Sequence, residues 1–148
     1  MPSTYTSLHY HLVFATKHRE PMITSAWRAR LHQYMGGVVR ENRGIALSVG
    51  GVEDHVHLLV GLRPTHCLSD FMRALKSASS ARAKAWCSHR GFQWQDGYAA
   101  FTVCDSGLAR VKRYIERQEE HHLGRSFRDE LIAYLQATGI KFDERYLD

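Results

Sequence analysis

The sequence lacks a long apolar run, paired cysteines and any low-complexity segment. None of its 148 residues lie in a stretch long enough to cross a membrane, and the N-terminus has no charged start followed by a hydrophobic block. Cys67, Cys87 and Cys104 are far apart and form no CxxC pair of the kind that indicates zinc or redox chemistry. We therefore expect a cytoplasmic protein with no membrane association, whose thiols are reduced and mostly buried.

The chain is basic and of ordinary globular composition. It has 20 Lys and Arg residues against 15 Asp and Glu, so its net charge is +5, and ten histidines add charge below neutral pH. This balance points mildly towards a polyanion such as nucleic acid, although many basic proteins of this size bind none. The length suits one domain, residues 1–148, with a core of its own.

Hydrophobic periodicity predicts an α+β fold. The predicted elements are a strand over 7–16, a helix from Thr24 or Ser25 to about Asn42, strands over 45–52 and 55–62, a helix from Ser69 to about His89, a strand over 94–104 interrupted at Gly97-Tyr98, a helix from Ser106 to His122 and a helix from about Arg128 to Thr138. This order is that of the ferredoxin-like split βαβ fold, with a four-stranded antiparallel sheet and additional C-terminal helices. The right-handed crossover rule places the two crossover helices on one face of the sheet.

A histidine pair lies within the segment GGVEDHVHLLVGL, residues 50–62. Side chains alternate along a strand, so His55 and His57 point to one face and Val56 points to the other. We expect Val56 and Leu58 to face the crossover helices, together with Val60, Leu62, Tyr10, Leu12 and Phe14. The histidine pair would then project from the opposite, more open face.

Two imidazoles at this spacing can hold one metal ion on a rigid element. The first and third strands are usually neighbours in this fold, so His9 and His11 are expected beside the pair. The alternative is a solvent-facing sheet surface that carries histidines with no role in binding.

The third predicted helix offers a further ligand. Arg110, Tyr114, Gln118 and His122 step by four and form one stripe. An oxygen from Gln118 suits Mg²⁺ or Mn²⁺, and imidazole ligands favour Mn²⁺ of the two. On the helix pattern alone, the favoured interpretation of Tyr114 is a half-buried aromatic, and Arg110 and Gln118 are explained equally well as a solvated face.

These motifs together resemble the single-tyrosine HUH transposases of the smallest bacterial insertion sequences, including the REP-associated tyrosine transposases. HUH denotes His-hydrophobic-His, which His55-Val56-His57 satisfies, and a Tyr-x-x-x-Gln motif follows it. The similar segments are HLVFATKHR at 11–19, GGVEDHVHLLVGL at 50–62, LKSASS at 75–80, WQDGYAAFTV at 94–103, RYIERQEEHH at 113–122 and GIKFDERYLD at 139–148.

The resemblance implies a reaction and a site. His55, His57 and Gln118 would bind Mg²⁺ or Mn²⁺, and Tyr114 would be the nucleophile. The implied reaction is metal-dependent cleavage and rejoining of single-stranded DNA, at hairpin-bearing element ends, through a covalent 5′-phosphotyrosine. It also implies a homodimer in which the tyrosine helix of one subunit completes the metal site of the other.

Lys17, Arg19 and Arg110 are the basic residues that we expect to contact DNA phosphates. Two other functions stay open at this point. One is a non-catalytic nucleic-acid-binding module that stacks bases on the open sheet face. The other is a metal-dependent phosphodiesterase in which water attacks and Tyr114 is structural.

Overall fold

The computed structural model describes residues 3–87, 91–122 and 124–147. Within them, four strands form one antiparallel sheet in the order β2-β3-β1-β4. The strands are β1 His9–Ala15, β2 Ile45–Gly51, β3 His55–Gly61 and β4 Ala99–Thr102. The helices are α1 Arg28–Glu41, α2 Leu68–Trp86, α3 Leu108–Glu116, α4 Gln118–His121 and α5 Phe127–Thr138. The strand order confirms the predicted α+β, ferredoxin-like fold.

The main core lies between the sheet and the two crossover helices. Leu58 of β3 is fully buried there, opposite Leu12 of β1 in the strand pairing. Leu31 of α1 and Leu75 of α2 complete the layer. The alternation predicted for β3 is confirmed, because the same core contains Val56, Val60, Leu62 and Phe14, with Tyr10 packed against it.

The opposite face of the sheet is covered, which corrects the expected open face. Val13 and Phe101 form a second apolar cluster with Phe127 and Leu135 of α5. Helix α5 begins at an N-cap, where the Ser126 side chain accepts a hydrogen bond from the Asp129 backbone N–H, and its apolar residues close over the sheet. The histidines of β3 are therefore buried, and within the described part of the chain this face of the sheet has no open surface on which bases could stack.

The first helix and the fourth strand differ from their predicted bounds. The helix predicted from Thr24 or Ser25 begins at Arg28, because the Thr24 carbonyl accepts the Trp27 and Arg28 N–H groups in a preceding turn. The fourth strand is shorter than predicted, because residues 95–97 turn towards α2. There the Lys76 ammonium donates to the backbone carbonyls of residues 95, 96 and 97.

The helix predicted over 106–122 is not continuous. A 3-10 turn occupies Asp105–Gly107, α3 follows, and the backbone leaves helical geometry at Arg117 before α4 begins.

The second crossover helix begins at Leu68 rather than after Ser69. Its predicted end near His89 lies outside the described residues.

The cysteines are free, as expected, but their burial differs from the prediction. Cys87 is buried against the main core, whereas Cys67 and Cys104 are exposed. Both exposed thiols lie beside the first residues of a helix or helical turn, at the protein surface. Among the described residues, no helix combines the length and apolarity required to cross a membrane.

Candidate active site

The histidine pair lies at the start of β3, on the covered face of the sheet. His55 and His57 are both fully buried and share one face, as the alternation predicted. His55 Nδ1 donates to the Asp54 carboxylate over 2.7 Å, and His57 Nδ1 lies 2.7 Å from His11 Nε2. Each ring is thus held by a hydrogen bond at Nδ1, and its Nε2 atom points into the cluster. This arrangement is typical of metal-binding histidines.

Of the two further histidines expected beside the pair, one joins it. His11 is buried and stacks on His57, with ring centroids 5.0 Å apart. Burial, with the nearby His57, lowers the pKa of His11 to about 3, so this ring is neutral and can accept a hydrogen bond. His9 lies at the other end of β1, where it contacts Ser7 and Asp105.

Gly50 lets α3 approach the sheet closely. A Cβ atom at Gly50 would lie 2.5 Å from the Ile115 carbonyl oxygen and 2.9 Å from Ile115 Cγ2. No residue with a side chain fits there without moving α3. This contact sets the height of α3 above β2, and therefore the position of the neighbouring Tyr114.

Tyr114 is half-buried and points into the histidine cluster. Its ring packs edge-on against His57, with centroids 5.6 Å apart, and its hydroxyl donates to Glu130 Oε2. Burial and the Glu130 carboxylate raise the pKa of Tyr114 above its usual value. The phenol is therefore held protonated and aimed by one specific acceptor.

Gln118 is buried because the chain turns at Arg117. Its Oε1 atom lies 3.1 Å from His55 Nε2, and its amide nitrogen donates to Glu130 Oε2 over 3.4 Å. The side chain is 1% exposed, so it does not belong to a solvated helix face. The tyrosine, the glutamine and both histidines of the predicted set meet in one chain, without a second subunit.

Glu130 and His122 complete the cluster, and sequence reasoning missed Glu130. Glu130 is 2% exposed, its Oε1 lies 2.9 Å from His57 Nε2, and its Oε2 lies 3.0 Å from His122 Nε2. His122 Nδ1 donates to the Arg125 carbonyl over 2.6 Å. A signal was present: Glu130 shares a helical stripe with Phe127 and Tyr134, and an acidic residue there is unusual.

The pKa values of the residues in this cluster are set by burial and by the opposite charges of their neighbours. Burial opposes a charge on His55, but hydrogen bonds to Asp54 and Glu130 outweigh it and raise the pKa of His55 to about 9. At His57, burial prevails and lowers the pKa to about 4. Burial also disfavours the Glu130 carboxylate, yet the surrounding histidines hold its pKa well below the usual range.

The cluster fits a divalent metal ion. Ligand atoms of His55, His57, His122 and Glu130 all lie within 4.8 Å of one another, and Gln118 adds an amide oxygen. Imidazole nitrogen mixed with carboxylate and amide oxygen is a donor set that Mn²⁺ and Mg²⁺ accept. The chain therefore contains a histidine and glutamate cluster able to bind a metal.

The three basic residues predicted to contact DNA lie apart. Lys17 is exposed and lines a groove of about 580 Å³ beside α2. Arg19 lines a depression of about 350 Å³ together with Asp54 and His122, next to the cluster. Arg110 is exposed on α3, near the Tyr134 ring. Of the three, Arg19 lies beside the cluster at its rim.

Comparison with known proteins gives the same family as the motifs. The family described as "Transposase IS200 like" matches residues 4–118, a range that ends at Gln118. The ISDra2 transposase TnpA of Deinococcus radiodurans is 29% identical over 122 residues, covering 76% of this chain and 85% of the relative. The IS200 transposase of Salmonella typhimurium is 28% identical over 122 residues, covering 78% and 80%.

Solved structures agree on the fold. A crystal structure assigned as a transposase from Deinococcus radiodurans is 30% identical with a TM-score of 0.64, covering 80% of this chain and 95% of that one. A REP-associated tyrosine transposase bound to a REP hairpin has a TM-score of 0.60 at 13% identity, covering 83% and 73%. At that identity the second match supports the fold alone.

The chain therefore belongs to the IS200-like transposase family, as the resemblance predicted, and it is an enzyme that cuts and transfers DNA strands. The family match covers β1 to the start of α4 and leaves α5 outside. Glu130 thus lies in the part of the chain that the family comparison does not describe.

Proposed function

We propose that residues 1–148 form one HUH transposase domain that cleaves and rejoins single-stranded DNA through a covalent bond to Tyr114. The observation that supports this most directly is that the Tyr114 ring packs against His57, in the buried cluster where His55 contacts Gln118, and that its hydroxyl donates to Glu130 of the same cluster. A tyrosine nucleophile beside nitrogen and oxygen ligands of a divalent ion can carry out strand transfer at phosphorus through a covalent intermediate.

The reaction makes one bond and breaks one. The Tyr114 oxygen loses its proton, attacks the phosphorus to form a tyrosyl 5′-phosphate and expels the 3′ oxygen, which gains a proton and leaves as a hydroxyl, so no net proton is consumed. Glu130 Oε2 accepts the phenolic hydrogen bond and thereby fixes the direction of the hydroxyl before attack. Because the phosphate ester energy is kept in the new bond, the step can be reversed to rejoin strands.

His55, His57 and Gln118 would hold the divalent ion, either Mg²⁺ or Mn²⁺. The bound ion supplies a positive charge that polarises a non-bridging phosphate oxygen. Asp54 and His11 contact the Nδ1 atoms of the two imidazoles. These contacts orient both rings so that their Nε2 atoms are available to a metal ion.

The substrate is single-stranded DNA next to a hairpin. This proposal rests on the family and on a fold neighbour whose structure contains a REP hairpin. Arg19, at the rim of the cluster, would contact the phosphate nearest the cleaved bond. Lys17 and Arg110 lie on other surfaces and would contact the DNA further from the reacting phosphate.

The resemblance implies a homodimer with shared sites, and the geometry favours a dimer in which each chain completes its own site. Tyr114 packs against His57 of the same chain. Mixing a Tyr114→Phe subunit with a His57→Ala subunit tests this. Sharing would restore cleavage, because one site of the mixed dimer would be intact, whereas own-chain assembly predicts none.

The adduct assay tests the nucleophile. Protein is incubated with labelled hairpin-bearing single-stranded DNA and Mn²⁺, and an SDS-stable adduct is measured. We expect an adduct with the wild type that is lost in Tyr114→Phe and kept in Tyr134→Phe, whose ring lies 5.7 Å from that of Tyr114. Cleavage that survives Tyr114→Phe without an adduct would instead indicate a water-using phosphodiesterase.

A further inference from the structure

Glu130 occupies a position that neither the histidine motif nor the tyrosine motif explains. It comes from α5, outside the family match, and both its carboxylate oxygens are used. Oε1 lies 2.9 Å from His57 Nε2 and 3.4 Å from His55 Nε2. Oε2 accepts from the Tyr114 hydroxyl. One carboxylate therefore joins the two histidines to the tyrosine.

The tautomers of the histidines decide what Glu130 can do. The Asp54 carboxylate only accepts hydrogen bonds, so His55 carries a proton on Nδ1. A histidine that binds a metal through Nε2 must present a lone pair there. With an ion bound, neither His55 nor His57 can donate an Nε2 proton to Glu130 Oε1.

Glu130 Oε1 would then face two nitrogen lone pairs, at 2.9 and 3.4 Å, although its side chain is only 3% exposed. A buried carboxylate oxygen in such surroundings is strongly unfavourable unless a cation lies next to it. The ion held by the histidines is the cation available at that position. Metal binding by the histidine pair is therefore most favourable when the Glu130 oxygen binds the ion as well.

The spacing of the donor atoms agrees with this arrangement. Ligands about 2.1 Å from one ion are separated by about 3.0 Å in octahedral and about 3.4 Å in tetrahedral geometry. The separations from Glu130 Oε1 to the two histidine nitrogens are 2.9 and 3.4 Å. His55 Nε2 to Gln118 Oε1 is 3.1 Å. All three distances fall within the range expected of ligands that share one ion.

We propose that Glu130 is a ligand of the divalent ion, beside His55, His57 and Gln118, and that its second oxygen positions the Tyr114 hydroxyl. The inference rests on the proposed function, because it takes the ion to be held by the histidine pair. A carboxylate changes the ligand set from neutral to singly negative, which strengthens the binding of a divalent cation.

Direct Mn²⁺ binding tests the assignment without DNA or turnover. The metal-free protein is titrated with Mn²⁺, and the free ion is followed by its electron paramagnetic resonance signal. We expect Glu130→Gln to weaken binding at least about tenfold. Asp129→Asn, the same charge change on the preceding, exposed residue, is expected to stay within about twofold of wild type.

The outcomes separate this proposal from the proposed function. Equal Mn²⁺ affinity in wild type and Glu130→Gln, with loss in His57→Ala, would overturn the role of Glu130 and leave the histidine site intact. Absence of Mn²⁺ binding in the wild type would overturn both. Should Glu130→Gln fail to fold by circular dichroism, Glu130→Asp replaces it: weaker binding supports the proposal and unchanged binding overturns it.

Discussion

His55 Nε2 lies 3.1 Å from Gln118 Oε1, although the two residues are 63 positions apart. The contact joins the central sheet to the segment that follows the tyrosine helix. It exists because the chain turns at Arg117, which points the Gln118 side chain inward rather than along α3. The proposed metal site and the proposed nucleophile are thus linked through four residues of backbone.

Removal of the Gln118 oxygen should weaken metal binding. Gln118→Leu keeps the buried volume but removes one ligand, so we expect Mn²⁺ affinity to fall about tenfold. Glu119→Gln changes the adjacent exposed residue and serves as the control. Titration with Mn²⁺ measures both. Unchanged affinity in Gln118→Leu would show that the amide is structural.

His11, which hydrogen-bonds with His57 Nδ1, should affect metal affinity nearly as much as a metal ligand does. His11→Leu removes the ring that hydrogen-bonds with His57 Nδ1, so we expect Mn²⁺ affinity to fall about 10- to 100-fold, as is typical when the hydrogen-bond partner of a metal ligand is lost. His9→Leu, on the same strand but next to Asp105, should leave the affinity within about twofold. Equal effects of the two variants would contradict the assignment.

The close approach of α3 to the sheet should be sensitive to a single methyl group. Gly50→Ala would place Cβ against the Ile115 carbonyl and displace α3 with Tyr114. We expect a loss of about 1–3 kcal/mol in the free energy of unfolding and a larger loss of DNA adduct. Gly97→Ala, with no described atom within 4 Å, should change stability by less than about 0.5 kcal/mol. Full adduct formation by Gly50→Ala would refute this role.

Acid should destabilise the protein through His32. Burial, with the nearby Arg28 charge, lowers the pKa of His32 to about 4, and Nε2 has no hydrogen-bond partner among the described residues. The unfolded chain, with a pKa near 6.5, binds more protons between these values, so stability is lost as pH falls from about 6.5 towards 4. At about pH 5 the loss is about 2 kcal/mol.

Urea unfolding at about pH 7.5 and about pH 5 measures this loss in wild type and in His32→Gln. The variant does not titrate, so its stability should differ less between the two pH values. An equal pH dependence in both proteins would exclude His32 as the source.

The sheet and the histidine pair could be predicted from the sequence because strand alternation is local. Val56 and Leu58 identify the core face, and His55 and His57 follow on the other face without further information. The Tyr114 to Gln118 spacing places both side chains on one stripe, but it does not reveal the turn at Arg117, where no glycine or proline marks a break.

Glu130 could not be assigned from local pattern because its partners are distant in the chain. It is 73 positions from His57, on a helix whose docking depends on Phe127, Leu135 and the apolar face of β1 and β4. The open sheet face was predicted wrongly for the same reason. A helix at the end of the chain has more than one surface available, and packing alone decides between them.

The most direct test of the account is the identity of the residue that becomes bonded to DNA. Trypsin cleaves after Arg113 and Arg117, so Tyr114 lies in the peptide 114–117, whereas Tyr134 lies in 129–141. The SDS-stable adduct is trimmed with nuclease, digested and sequenced by mass spectrometry. We predict a nucleotide on peptide 114–117. A nucleotide on 129–141, or strand cleavage with no modified peptide, would contradict Tyr114 as the nucleophile.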